Sequence, residues 1–143
     1  MKNLLAALAF VALGALQSTA QTAAEGPVMT FEQTTIDYGT IFQGSEPLRQ
    51  FKFTNTGSEP LIIKDARGSC GCTVPTYPQE PVMPGESATI DVRYDTQRIG
   101  AFTKTVTLTT NEATESRTLT IKGDVKELPQ NFGTPTTTNG FKQ

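Results

Sequence analysis

Between Ala88 and Tyr94 apolar and polar side chains alternate without a break, Ala88, Ile90, Val92 and Tyr94 against Thr89, Asp91 and Arg93. A period of two sends the two sets to opposite faces of an extended strand, and a helix cannot use it. The same period recurs along the chain. Phe102, Val106 and Leu108 share one face of a segment whose other face is Thr103, Thr105, Thr107 and Thr109. Lys104 interrupts the apolar face, which points to a rim at that end. Leu119, Ile121 and Val125 oppose Thr118, Thr120 and Lys122, and Phe51 and Phe53 alternate with Gln50, Lys52 and Thr54. Leu61-Ile62-Ile63 reads as a short apolar strand. Further strands are expected over Val28 to Phe31 and Ile36 to Ile41.

Turn chemistry separates these runs. Asn55-Thr56-Gly57-Ser58 joins two strands, Pro84-Gly85 has the residues of a type II turn, and Asn111 to Glu115 closes a hairpin. No segment carries a capped helical pattern. Seven to eight short antiparallel strands at this spacing make an all-β sandwich. Its core should rest on Phe31, Phe51, Phe53, Tyr94 and Phe102.

The ends of the chain read differently. Lys2, the apolar run Leu4 to Leu16 and the small residues Ser18-Thr19-Ala20 form the three regions of a secretory signal. The run is shorter than the roughly 20 residues that span a bilayer. The expected organisation is a signal peptide over 1–20, a flexible segment over 21–27, the sandwich over 28–126 and a flexible Thr/Pro-rich tail over 127–143. The mature chain would begin near Gln21, exported to the periplasm or the cell surface, with no membrane span. No cysteine follows the cleavage site to carry a lipid.

Composition narrows function by exclusion. The formal net charge is −2, so a nucleic-acid backbone finds no basic counterpart. The chain has 0 histidines, which removes Ser-His-Asp and Cys-His nucleophile systems and His-ligated zinc. No glycine motif cradles phosphate. Asp37, Asp65, Asp91 and Asp95 read as solvated carboxylates rather than an acid–base pair or a calcium site. No cofactor is implied. The chain is expected not to be an enzyme.

One motif carries chemistry. Cys70-Gly71-Cys72 holds the only 2 cysteines of the chain. Along a strand, Cα atoms two residues apart lie about 6.6 Å from each other, the long edge of disulfide geometry. Gly71 offers the backbone freedom to contract. Closing so small a loop stabilises a fold by only about 1.6 kcal/mol. Four readings stay open: a local bridge, thiol exchange, a soft-metal site for Cu(I) or Zn, and inert thiols. Lys64 and Arg67 are close in sequence and would lower a thiol pKa if they are also near in space, and Met29 and Met83 are candidate extra metal ligands by residue type alone.

The string Phe53-Thr54-Asn55-Thr56-Gly57-Ser58-Glu59-Pro60-Leu61-Ile62-Ile63 resembles the F-x-N-x-G-x-x-P-L-x-I pattern of the bacterial family called domain of unknown function 1573. Asp37-Tyr38-Gly39, Ser69-Cys70-Gly71-Cys72-Thr73, Pro84-Gly85 and Asn111 extend the match over roughly residues 30 to 125. The resemblance implies an immunoglobulin-like sandwich related to hydin-type and pilus-chaperone-type domains. It implies no agreed activity. The expected function is a non-enzymatic binding or structural module of the cell envelope. It would meet protein partners through a sheet edge or loops. Glycan is the weaker partner, for want of Trp, with Tyr38 and Tyr77 as the available rings.

Overall fold

The structure, a computed structural model, describes residues 25–114 and 116–130. The expected signal peptide, its cleavage site and the tail beyond residue 130 lie outside the described residues. Eight strands follow in order: β1 (Met29–Phe31), β2 (Thr35–Phe42), β3 (Leu48–Asn55), β4 (Ile63–Gly68), β5 (Thr73–Thr76), β6 (Ser87–Tyr94), β7 (Gly100–Thr110) and β8 (Ser116–Lys126). They form two four-stranded sheets, β1-β3-β6-β5 and β2-β8-β7-β4. This is an immunoglobulin-like β-sandwich, all-β as the alternation requires.

The inward phase of each strand supplies the core. Phe51, Phe53, Ile90 and Val92 from one sheet meet Val106, Leu108, Leu119, Ile121 and Val125 from the other, all fully or almost fully buried. Each such side chain contributes about 2 kcal/mol of burial. Tyr94 stacks on Phe102 with centroids 3.8 Å apart, and Tyr38 meets both rings edge-on. Gly123 stands where this cluster needs room: a Cβ there would lie 2.8 Å from Tyr38 Cβ and 2.9 Å from the Phe102 ring.

Four local expectations are corrected. The strands are not all antiparallel, because β2 runs parallel to β8, from Thr35 opposite Thr120 to Phe42 opposite Lys126. After Glu32, still bonded to Lys52 of β3, the chain crosses to the second sheet and enters it alongside β8. Leu61 to Ile63 is not one strand: Leu61 makes a lone bridge to Val82, Ile62 is exposed, and Ile63 opens β4. Lys104 does not mark a rim. It is half-buried in mid-strand, between buried Phe102 and Val106 and opposite Ile121. Phe31 packs on Phe53 at 5.7 Å but is only partly buried, since β1 is a three-residue edge strand.

The Asp-Tyr-Gly motif is explained by β2. Asp37 Oδ1 accepts the Gly39 N–H at 2.7 Å, and Gly39 adopts φ +67 at the point where the β2–β8 register shifts. The bulge between Asp37 and Thr40 turns the outer edge of β2 away from regular pairing.

Candidate functional site

Cys70-Gly71-Cys72 lies where the chain passes from one sheet to the other. It leaves the edge strand β4 of the second sheet at Gly68 and enters the edge strand β5 of the first at Thr73. Hydrogen bonds hold the crossing on both sides. The Ser69 N–H donates to Thr105 O at 2.8 Å, and the Thr105 N–H donates to Ser69 Oγ at 3.1 Å, which ties it to β7. The Asp95 N–H donates to Cys72 O at 2.9 Å, which ties it to the end of β6. Within the turn, the Thr73 N–H donates to Cys70 O at 3.2 Å. The Sγ atoms of Cys70 and Cys72 are joined, with Cα atoms 5.2 Å apart, shorter than an extended chain would place them.

The glycine that makes this crossing fit is not the one inside the motif. Gly71 is absent from the positive-φ glycines, and a Cβ there would meet nothing within 4 Å. The expectation that Gly71 supplies the contraction is therefore corrected. At Gly68, by contrast, a Cβ would run into the carbonyl oxygen of Thr73, a backbone atom that cannot swing aside. Gly68→Ala should cost about 3 kcal/mol, whereas Gly71→Ala should stay within about 0.5 kcal/mol, by urea denaturation of each variant.

The two sulfurs differ in access. Cys72 is 6% exposed and belongs to the core cluster, while Cys70 is only partly buried against it. Thr73, 2% exposed, places Oγ1 3.6 Å from Cys70 Sγ and 3.9 Å from Cys72 Sγ. Among the described residues, neither Lys64 nor Arg67 makes a hydrogen bond or ion pair with a cysteine. Arg67 is engaged by Asp65 at 2.7 Å. Met29 is buried in the core and Met83 is exposed in a turn. No group of three or more potential metal ligands occurs among the described residues.

The other residues singled out from the sequence are dispersed. Asp37 faces Lys122 at 3.5 Å, Asp65 faces Arg67, Asp91 accepts from Gln50 at 3.0 Å, and Asp95 faces Arg98 at 3.2 Å. Each is occupied by a neighbour, and no two form a pair. Tyr38 is no open platform for a sugar. It is buried, donates its hydroxyl to Pro47 O at 2.8 Å, and lies beneath the Arg49 guanidinium at 4.1 Å. Burial, with Arg49 opposing it, holds the Tyr38 pKa above the ordinary phenol value.

Sequence reasoning missed two buried polar hubs. Asn55 is fully buried at the end of β3. Its Oδ1 accepts the N–H groups of Val28 at 3.3 Å and Gly57 at 3.0 Å, and its Nδ2 donates to Glu59 O at 2.8 Å and Val82 O at 2.9 Å. Glu112 sits in the β7–β8 connection with its side chain 3% exposed. It accepts from Met29 N–H at 2.8 Å, Thr110 Oγ1 at 3.0 Å and both arms of Arg117, at 2.6 Å and 3.2 Å. The signal was present in the alternation. Asn55 continues the inward phase of Phe51 and Phe53, as Thr110 and Glu112 continue that of Val106 and Leu108.

The sheet edges differ in how open they are. On β5, alternation from the Asp95–Cys72 bond turns the backbone of Thr73 and Pro75 outward. Pro75 has no N–H, and Thr73 spends its own inside the turn, so this edge offers no free donor. On β8, β2 covers only the stretch from Thr120 onward. The Thr120 N–H donates to Thr34 O at 2.8 Å, so the backbone groups of Ser116 and Thr118 point the same way and meet no strand. Opposite them, the outward groups of Phe31 on β1 are likewise without a ladder partner. Val28, Met29, Thr30, Phe31, Thr34 and Thr118 line the slot between these two edges.

The family model described as protein of unknown function (DUF1573) matches residues 29–125, the span of the sandwich. The chain belongs to this family. Asn55, Gly57 and Asp37-Tyr38-Gly39, on which the resemblance rests, are structural positions in this chain: they hold a hub, a close approach and a bulge. No curated protein matches the sequence. Among solved structures, a protein of unknown function from Porphyromonas gingivalis W83 is similar at 19% identity and TM-score 0.62, covering 76% of this chain and 51% of that one. The secreted serine protease VesC from Vibrio cholerae is similar at 12% identity and TM-score 0.55, covering 73% of this chain and 24% of that one. The periplasmic chaperone SfaE is similar at 11% identity and TM-score 0.50, covering 71% and 59%. The chain thus spans about half the length of the Porphyromonas protein and about a quarter of VesC. Identities this low speak for the shared fold alone.

Proposed function

We propose that this chain is an exported, non-enzymatic binding module of the bacterial cell envelope. It takes an extended segment of a protein partner into the slot between β1 and β8. The observation that carries the reading is the half-covered edge of β8, where Ser116 and Thr118 offer backbone groups in line with β2. Unpaired strand edges bind extended peptides by main-chain hydrogen bonds. Of the other edges, β5 is blunted by Pro75 and β2 by its bulge. The lining of threonine, serine and apolar side chains, with its one charged member Arg117 paired to Glu112, suits a peptide of low charge. Likeness in fold to a periplasmic chaperone, and the signal-like start of the sequence, agree with this reading.

Thr118→Pro removes the outward N–H while leaving the bonds to β7, which come from Arg117 and Leu119 by alternation. It should weaken partner binding by about tenfold, the worth of one main-chain hydrogen bond. The measurement is capture from envelope extract followed by hydrogen exchange on the purified complex. Protection newly gained at the Phe31 and Thr118 amides supports the slot. Full-strength capture by the proline variant, with protection elsewhere, rejects it.

A second reading is thiol exchange or soft-metal handling through Cys70 and Cys72. The half-buried Cys70 favours exchange. A soft metal would need the reduced pair, since the joined sulfurs of the oxidised form are not thiolates.

A further inference from the structure

We propose that the Cys70–Cys72 bridge is a directional thiol-exchange site, opened at Cys70 Sγ, with Cys72 leaving against the hydroxyl of Thr73. This deepens the exchange reading above and rests on it.

Disulfide exchange requires a thiolate to reach one sulfur while the other departs as a thiolate. The crossing presents these sulfurs unequally. Cys70 is partly exposed at the edge of the sandwich, whereas Cys72 is 6% exposed and packed into the core. An external thiolate therefore meets Cys70 Sγ first. Apolar surroundings disfavour a bare thiolate, so Cys72 leaves poorly unless something stabilises its charge. Among the described residues no cationic side chain is bonded to either cysteine. The polar group at hand is Thr73 Oγ1, on a residue 2% exposed, and the two sulfurs are its hydrogen-bonding contacts. A hydroxyl can turn its proton toward whichever sulfur carries the charge.

The other fixed points suit a local opening. Cys72 O is held by the Asp95 N–H and Ser69 by Thr105, so both flanks of the turn stay attached to their sheets when the sulfurs part. The co-reactant is a dithiol. Its first thiolate attacks Cys70 Sγ, forming a mixed disulfide as the Cys70–Cys72 bond breaks. The bonding pair goes to Cys72 Sγ, which accepts a hydrogen bond from Thr73 and then takes a proton from water. The second thiolate of the dithiol attacks its own partner sulfur and releases Cys70, which is protonated in turn. The dithiol is oxidised to a disulfide, and this chain gains two electrons and two protons.

The experiment uses the full mature chain with dithiothreitol as the dithiol probe, and glutathione disulfide for trapping. Reduction is followed by acid quench and thiol labelling. Thr73→Val, isosteric but without the hydroxyl, should slow reduction about tenfold, and Thr73→Ser should restore it, because a charge-assisted hydrogen bond is lost and regained. A purely structural threonine would not yield that rescue. In trapping, Cys72→Ser should form the mixed disulfide with glutathione at Cys70, while Cys70→Ser should remain largely unmodified at buried Cys72. No reduction of the folded wild type by the probe would overturn the exchange reading and this proposal together. Reduction with equal trapping at both cysteines, or an unaltered rate in Thr73→Val, would overturn the proposal and leave exchange standing.

Discussion

Asn55→Ala should destabilise the domain by about 4 kcal/mol, the largest loss expected from any single truncation outside the apolar core. The Asn55 side chain satisfies two backbone donors, Val28 and Gly57, and two backbone acceptors, Glu59 and Val82. The site is fully buried. Truncation leaves groups with no water to turn to, and each abandoned group costs about 1–3 kcal/mol. The bonds also fasten the connection after β3 to the segment before β1 and to the Val82 bridge. Urea denaturation should show a lower midpoint. Asn55→Asp should be nearly as damaging, since a carboxylate cannot donate to Glu59 O and Val82 O. If either variant unfolds within about 1 kcal/mol of wild type, water enters the hub.

Glu112→Ala should cost about 3 kcal/mol at neutral pH. It strands the Met29 N–H, the Thr110 hydroxyl and the Arg117 guanidinium, which is left beside the core without its counter-ion. Replacing Arg117 by Met in the same background should recover part of that loss, because the unpaired charge is then gone. The pair also links stability to pH. Burial alone would push the Glu112 pKa up, but the bonds from Arg117, Met29 and Thr110 outweigh it and hold the carboxyl below its ordinary value of 4.5. Its contribution is therefore complete above about pH 4.5 and drains away as pH falls through the lower folded-state pKa. Wild type should lose stability steeply across that acid window. Glu112→Ala should show a flatter acid limb, and equal slopes would reject this assignment.

Alternation made the strands legible because a half-buried sheet leaves a period-two trace that few other structures produce. Phe51, Phe53, Ile90, Val92, Leu119 and Ile121 all lie inward, where that trace puts them. The trace gives each strand a face but no neighbour. Hence the parallel β2–β8 pair was hidden: its partners are separated by most of the chain, and nothing local records direction. β5 was hidden for another reason, since Thr-Val-Pro-Thr carries too little contrast to announce a strand. At the crossing, the cysteines drew attention through their chemistry, whereas Gly68 and Thr73 matter through contacts formed only when β4 and β5 meet. Asn55 and Glu112 were readable in principle. A polar residue continuing an inward phase must be buried with partners, and that inference needs only the alternation already in hand.

The parallel course of β2 and β8 has a mechanical consequence. Once the three-residue β1 has parted from β3, tension drawn along the chain pulls β2 from its Thr35 end and β8 from its Lys126 end, which lie at opposite ends of the shared ladder. The strands must then slide past one another, and the bonds along the ladder resist together instead of opening one by one like a zip. Evenly spaced, slanted parallel bonds share such a load. A load carried through β2 and β8 is held at this seam, and the force needed to part it should exceed that for peeling an edge strand of the same length.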